Sequence, residues 1–359
     1  MDHPDPVSFE FTSHHITSFK PGSYSGFYDL QEIHMSKMTN ITGISLPLAV
    51  WLANDDYDFV PGDKSISATA LLKSTRQILL GERLTSEVRQ TPDVADRIAS
   101  SFGTAIHDSI ERVWSDPKKI VRALEKLNLP KQVTENIRIN PGDLEEGEIP
   151  IWLEQRGSRE IMGYTISGKF DMVVDGDLHD FKTTSVYSYL SGNKDEDYSL
   201  QGSIYRWIHH DKITSDTIKI EFMFTDWQGA QAKQNSDYPQ QKLHQHSVPL
   251  LSLKETEKWI IKKLRHLEQY ASVDEKLIPE CTDVELWRSS PVYKYYADPA
   301  KASLPNSRST KNFDNLMEAN AFRASKGKGI VVTVPGQVKA CAYCQSAPIC
   351  TQKDQYNYA

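Results

Sequence analysis

The sequence predicts an α/β fold built around a mixed sheet. Three observations carry that expectation. Residues 67–127 follow the period of amphipathic helices, residues 149–185 switch to the period of strands, and beyond 195 a helix, a strand and a helix follow in turn. With 359 residues, 39% hydrophobic and 25% charged, the chain can bury a sizeable core in one extended domain or two.

Taken in order, residues 1–60 are rich in Ser, Tyr, His and turn residues, and their periodicity is weak. Trp and Tyr there could stack on unpaired bases, although core packing is the better default. Ser67 is placed to cap a helix through ATALLKSTRQILLGERL, with Leu71, Leu72, Ile78 and Leu79 as its apolar stripe. Asp93 is placed to cap VADRIASSFGTAIHDSIERVW, whose Ile98, Phe102, Ile106, Ile110 and Val113 share one face. Asp116 and Pro117 open a shorter helix to about Leu127. IPIWLEQR (149–156) reads as a strand, and GYTISGKFDMVV with DLHDFKTTS reads as a hairpin. A helix over 195–211, the strand TIKIEFMFTDW and a helix over 253–272 complete the core. NSRSTKN (306–312) reads as a mobile loop, and no internal repeat is present. The expected division is an extension with a helical segment (1–90), a core (91–275) and a tail carrying clustered cysteines (276–359).

A net charge of −7 argues against a generally basic nucleic-acid coat protein but leaves room for a local basic groove. Lys73–Arg76, Lys118–Lys119, Arg308–Lys311 and Arg323–Lys328 could line one; each alone is more often a solvated face. The start lacks a signal-peptide pattern, and the longest apolar stretch, ISLPLAVWLA, is too short to span a bilayer. A cytoplasmic protein with no membrane partner is expected. Four cysteines are too few for a disulfide scaffold, yet three fall within ten residues near the C-terminus.

Asp175-Gly176 is a strong two-residue hairpin signal. Centring the turn there sets Val174 against Asp177, Val173 against Leu178 and Asp171 against Asp180. The two aspartates then have Cβ atoms about 5 Å apart, and Lys182 shares their face. Phe170, Met172, His179 and Phe181 are expected to point the other way, toward the core. Opposed carboxylates cost stability unless a cation lies between them, and a hard divalent ion such as Mg²⁺ or Mn²⁺ suits the site. A merely solvated hairpin is the competing account, of about equal weight on this stretch alone. His107 and Glu111 stand four apart on one helix, as do Gln201 and Tyr205; alone, each pair is weak evidence.

Together these pieces resemble one family. GTAIH (103–107), GKFD (168–171), DFK (180–182) and QGSIY (201–205) have the order and spacing of the RecB-type branch of the PD-(D/E)XK nucleases. The resemblance covers about residues 65–275 and is nearest to phage-type and small single-polypeptide exonucleases. Cys341, Cys344 and Cys350 match the C-terminal spacing of relatives with a [4Fe-4S] cluster, the small CRISPR-associated exonucleases among them. In those relatives the fourth cysteine precedes the core; here the only candidate, Cys281, follows it. Either Cys281 completes an iron–sulfur site or the four thiolates hold zinc, since the donors suit both.

The resemblance implies a PD-(D/E)XK core and a metal-dependent DNA exonuclease of end processing, recombination or repair. His107, Asp171, Asp180 and the Phe181 carbonyl would hold Mg²⁺ or Mn²⁺. Lys182 would act on water and phosphate, and Gln201 and Tyr205 would position Lys182 or the DNA. Glu154 is a possible extra carboxylate, and Glu111 a weaker one. Linear DNA with a single-stranded end is the expected substrate, and a recombination or strand-annealing protein a possible partner. The alternative is a DNA-end-binding module on the same fold that no longer cleaves.

Overall fold

A computed structural model describes residues 37–54, 64–85, 88–89 and 91–356. Tyr24, Tyr28 and Tyr57, among the expected stacking aromatics, lie outside the described residues. The described chain forms two compact units: 37–54 with 91–105, and 64–89 with 106–356. One cut falls at the expected boundary 90/91, and none falls at 275/276, since residues 64–85 and the chain after 275 both belong to the second unit.

In the first unit, α1 (Leu46–Ala53) starts with Pro47 in its first turn and buries Ala49 and Leu52 against Val94. Trp51 packs edge-on against Phe102 at 5.7 Å. Asp93 ties the unit together. It accepts from the Ala95 and Ile41 amides and the Thr42 and Thr39 hydroxyls, which hold its carboxyl down to about 2. It caps a 3-10 turn over Val94–Arg97, and α-helix begins only at Ile98.

The second unit opens with β1 (Ser65–Ser67), α2 (Ala68–Leu71) and α3 (Thr75–Arg83). Ser67 caps as expected, but the single expected helix is two. Ser74 and Gln77 form a reciprocal capping box that starts α3 afresh. α4 (Ile98–Trp114) enters this unit at Ile106. Asp116 caps α5 (Pro117–Lys126), and a short α6 (Lys131–Thr134) follows.

Strands β2 (Ile137–Ile139), β3 (Ile149–Leu153), β4 (Arg156–Ile161), β5 (Tyr164–Lys169), β6 (Met172–Val174) and β7 (Asp177–Thr184) come next. After them run α7 (Val186–Leu190), α8 (Asp195–Ile208), β8 (Thr217–Phe224), α9 (Gly229–Gln234), β9 (Leu243–Pro249) and α10 (Leu253–Tyr270). The main sheet runs β2-β3-β6-β7-β8-β9, with β2–β3 and β7–β8 parallel and the other pairs antiparallel. A second sheet runs β1-β5-β4. The fold is therefore mixed α/β, a mixed sheet flanked by helices.

The hairpin turn has positive φ at both Asp175 (49°) and Gly176 (88°), and Val174 pairs with Asp177 and Val173 with Leu178. The two strands expected at 149–156 and 163–174 are each broken. Leu153 pairs with Met172 in the main sheet and Arg156 with Lys169 in the second sheet. The residue count across the break is equal on both sides, so Glu154 stands opposite Asp171. Its amide donates to the Asp171 carbonyl at 2.9 Å, and Glu154 itself adopts a φ of 48°.

Both faces of the main sheet are covered. Leu178, Ile218, Ile220 and Phe222 pack with Ile204 and Trp207 of α8 and Ile260 and Leu264 of α10. On the other face Ile151, Leu153 and Met172 meet Phe181 and, from α4, Ile110 and Trp114. This corrects the expected orientation. Phe170 belongs to the larger core, with Leu178, while Met172 and Phe181 belong to the smaller one. Asp180, two residues from Leu178, is 2% exposed. The aspartate side of the hairpin is thus buried under helices, not left open.

Past residue 275 the chain is more than a tail. β10 (Val292–Tyr296), β11 (Lys311–Phe313), α11 (Leu316–Lys326) and β12 (Ile330–Val334) form a third sheet, β11-β10-β12, with a helix packed on it. The expected mobile loop at 306–312 ends in β11, paired with β10.

Candidate metal centre and cysteine cavity

Position in the fold explains the first cluster. Asp171 lies where the bent ribbon changes sheets, between Glu154 on one neighbouring strand and Asp180 on the other. α4 crosses this end and brings His107. Ligand atoms of His107, Glu154 and Asp171 all lie within 4.8 Å of one another. His107 Nε2 is 2.9 Å from the Phe181 carbonyl oxygen, and its Nδ1 is 3.6 Å from Asp171 Oδ2. The Phe181 amide donates to Asp171 Oδ2 at 2.8 Å.

Burial first, and the Asp180 charge second, push the Asp171 carboxyl up to about 7, against pulls from His107 and Lys182. Lys182 Nζ is 2.6 Å from Asp180 Oδ2. Burial pulls the Lys182 ammonium down, but the charges of Asp180 and Asp171 outweigh it and raise it. The lysine therefore stays cationic beside two carboxylates. Glu154, expected only as a possible extra carboxylate, joins the cluster and pairs with Lys169 at 2.6 Å. Asp180 stands outside the 4.8 Å trio and is held by Lys182; Glu111 is not part of the trio either.

α8 closes the site. Gln201 Nε2 donates to the Tyr205 hydroxyl at 2.9 Å, both residues being buried. Tyr198, which the sequence reading passed over, has its ring 6.0 Å from Lys182 Nζ. Its spacing from Gln201 and Tyr205, three and seven residues, was the available signal, because those positions share a helix face. Gly168 explains the fit. A Cβ there would lie 2.8 Å from the Tyr205 ring, so only glycine lets the helix pack this closely on β5.

The donor set of His107, two or three carboxylates and a carbonyl suits a hard divalent cation. A raised Asp171 is what such a set looks like when its charges are gathered without one.

The second cluster is the cysteines. Cys281, Cys341, Cys344 and Cys350 line one cavity, although Cys281 is sixty residues from the next in sequence. α3 supplies the wall. Ser74 Oγ is 3.2 Å from Cys281 Sγ, Arg76 Nε donates to Cys350 Sγ at 3.1 Å, and Gln77 Nε2 lies 3.8 Å from Cys344 Sγ. Burial pushes the Cys281 thiol up to about 11, opposed by Ser74 and reinforced by Glu285, Cys350 and Cys344. Burial and the same two cysteines raise Cys341. Four thiols gathered in one cavity, with Cys281 and Cys341 raised by burial and by their neighbours, fit a shared cation that would take their protons' place. Arg76, expected to belong to a basic channel, is instead 2% exposed and ion-paired with Glu275.

No protein-family model matches the chain, and no curated protein matches it. Among solved structures, that of SSO0001 is similar at 14% sequence identity with a TM-score of 0.37, over 64% of this chain and 87% of its own. That likeness is too slight to reason from.

Proposed function

We propose that the chain is a divalent-metal-dependent DNA exonuclease with a RecB-type PD-(D/E)XK core. The observation that carries this is the meeting of His107, Glu154 and Asp171 beside the Asp180–Lys182 pair. Three short motifs, spread over eighty residues, supply four of those five side chains; Glu154 was only a possible extra. Mg²⁺ or Mn²⁺ held by His107, Glu154, Asp171, Asp180 and the Phe181 carbonyl would lower the pKa of a bound water and offset phosphate charge. Lys182, kept cationic by its neighbours, stabilises the charge that develops on phosphate oxygens. Gln201 and Tyr205 hold each other by a buried hydrogen bond and fix the α8 wall behind Lys182. Phosphodiester attack in line with the leaving 3′-oxygen yields a 5′-phosphate.

Cys281, Cys341, Cys344 and Cys350, which line one cavity, would hold a [4Fe-4S] cluster with a folding role, fastening residues 341–350 to α3. Zinc on the same donors is the competing occupant. A reducing, cytoplasmic setting is consistent with free cysteines throughout.

The test is digestion of linear DNA, labelled separately at each end, by purified protein with Mg²⁺ or Mn²⁺. Asp180→Ala and Lys182→Ala should each slow digestion by about 10²-fold or more while circular dichroism stays unchanged. Variants that cut like the parent sink the mechanism. A parent inert on every linear substrate, yet bound to DNA ends, would favour the non-cleaving module. Iron analysis and visible absorbance on the same preparation decide the cluster; a colourless protein carrying zinc overturns iron–sulfur.

A further inference from the structure

The third sheet with α11 has no part in either cluster, and its charge is opposite to that of the chain. Val292–Val334 holds seven lysines and arginines against three acids, in a molecule whose net charge is −7. Among the described residues, Lys294, Lys301, Arg308, Lys311, Arg323, Lys326 and Lys328 form no ion pair with Asp298, Asp314, Glu318 or any other carboxylate.

Two of these cations converge. Lys311 Nζ lies 4.9 Å from the centre of the Phe322 ring and 4.8 Å from that of Phe313; Lys326 Nζ lies 5.2 Å from the Phe322 ring. The rings are held in turn, since Phe322 packs against Tyr295 and Phe313, and the Tyr295 hydroxyl donates to the Lys328 carbonyl at 3.0 Å. The negative end of the α11 dipole accounts for Lys326 and Lys328. It does not account for Lys311, which arrives from β11. Like charges brought together from separate elements over aromatic faces, without a carboxylate between them, make a site for an outside anion.

We propose that this module is a phosphate-backbone platform that grips nucleic acid through Lys311 and Lys326. Arg323 and Lys328 flank them in sequence. The choice of DNA as the polyanion rests on the nuclease reading. Contact is with phosphates rather than bases, so binding is salt-dependent and indifferent to sequence.

The experiment uses the full chain carrying Asp180→Ala, with divalent metal chelated. Anisotropy of fluorescein-labelled single-stranded and duplex DNA is followed over a salt series. Adding Lys311→Glu with Lys326→Glu should weaken binding about tenfold or more and flatten the salt slope by roughly 1.5, two phosphates' worth. Lys233→Glu with Lys254→Glu, exposed lysines elsewhere, should change affinity less than about threefold. If the Glu pair fails to fold by circular dichroism, Lys311→Gln with Lys326→Gln is read for the same slope change. Binding that matches the Lys233/Lys254 control overturns the proposal. Loss of binding to phosphatidylserine vesicles with DNA binding intact also overturns it, in favour of a membrane surface. The two readings fail separately. A parent that digests DNA while the platform variant binds normally sinks the platform alone. A parent that binds through the platform and never digests sinks the nuclease alone.

Discussion

Glu154 shows how one residue outgrows its sequence signal. Its backbone is left-handed at φ 48°, which turns a strand residue into the third member of a ligand trio. Nothing in its side chain announces that conformation, so sequence alone left it balanced between an extra carboxylate and an ordinary strand glutamate. Glu154→Gln should weaken Mn²⁺ binding about tenfold or more, measured by calorimetry, with unfolding little changed. Asp171 carries a pH signature. Its folded value of about 7 stands above the ordinary 3.8, so between those limits the folded chain holds a proton that the unfolded chain lacks. The stability this contributes is full below about pH 4 and is lost as pH rises toward 7. Urea melts of metal-free protein should show that decline, and Asp171→Asn should remove it. For the same reason, metal affinity should climb with pH through 7 and level off only above it, since binding displaces the proton.

At the scale of elements, the hairpin was legible and its break was not. Asp175-Gly176 fixes its own turn through local φ requirements, and the Asp171–Asp180 level followed by counting. The hand-over to a second sheet depends on β1, about a hundred residues upstream, pairing in parallel with β5. No local pattern reports a partner at that distance. The α8 wall was half legible: Gln201 and Tyr205 stood out by motif, while Tyr198 looked like any core aromatic. Gly168 is where the wall meets the sheet. Gly168→Ala should destabilise by about 1–3 kcal/mol, through the Cβ contact with Tyr205, and slow digestion more than the loss of folded protein explains. Comparison of the urea midpoint with the rate per folded molecule separates the two effects.

For the whole molecule, the alternation of helix and strand was enough to fix the class of fold, but not its closure. Arg76 is the clearest case. In sequence it belongs to a basic run; in the fold it joins α3 to Cys350, to the carbonyls of Glu275 and Ile278, and to the Glu275 carboxylate. Glu275 in turn accepts from the Thr351 amide and hydroxyl. Helix, mid-chain and C-terminal segments thus meet at one buried cation. Arg76→Ala should cost about 1–3 kcal/mol, because it leaves the half-buried Glu275 carboxylate and the carbonyls of Glu275 and Ile278 without their donor. Hydrogen exchange should then show residues 340–356 losing protection together with α3.

The ribbon shared by two sheets has a mechanical consequence. Glu154 and Asp171 sit on its crease, so the hinge angle between the two plates sets the bite of the carboxylates, as the arms of a caliper set its jaws. A force that flexes either plate, even one applied far from the cation, is delivered to the jaws as a change of gap.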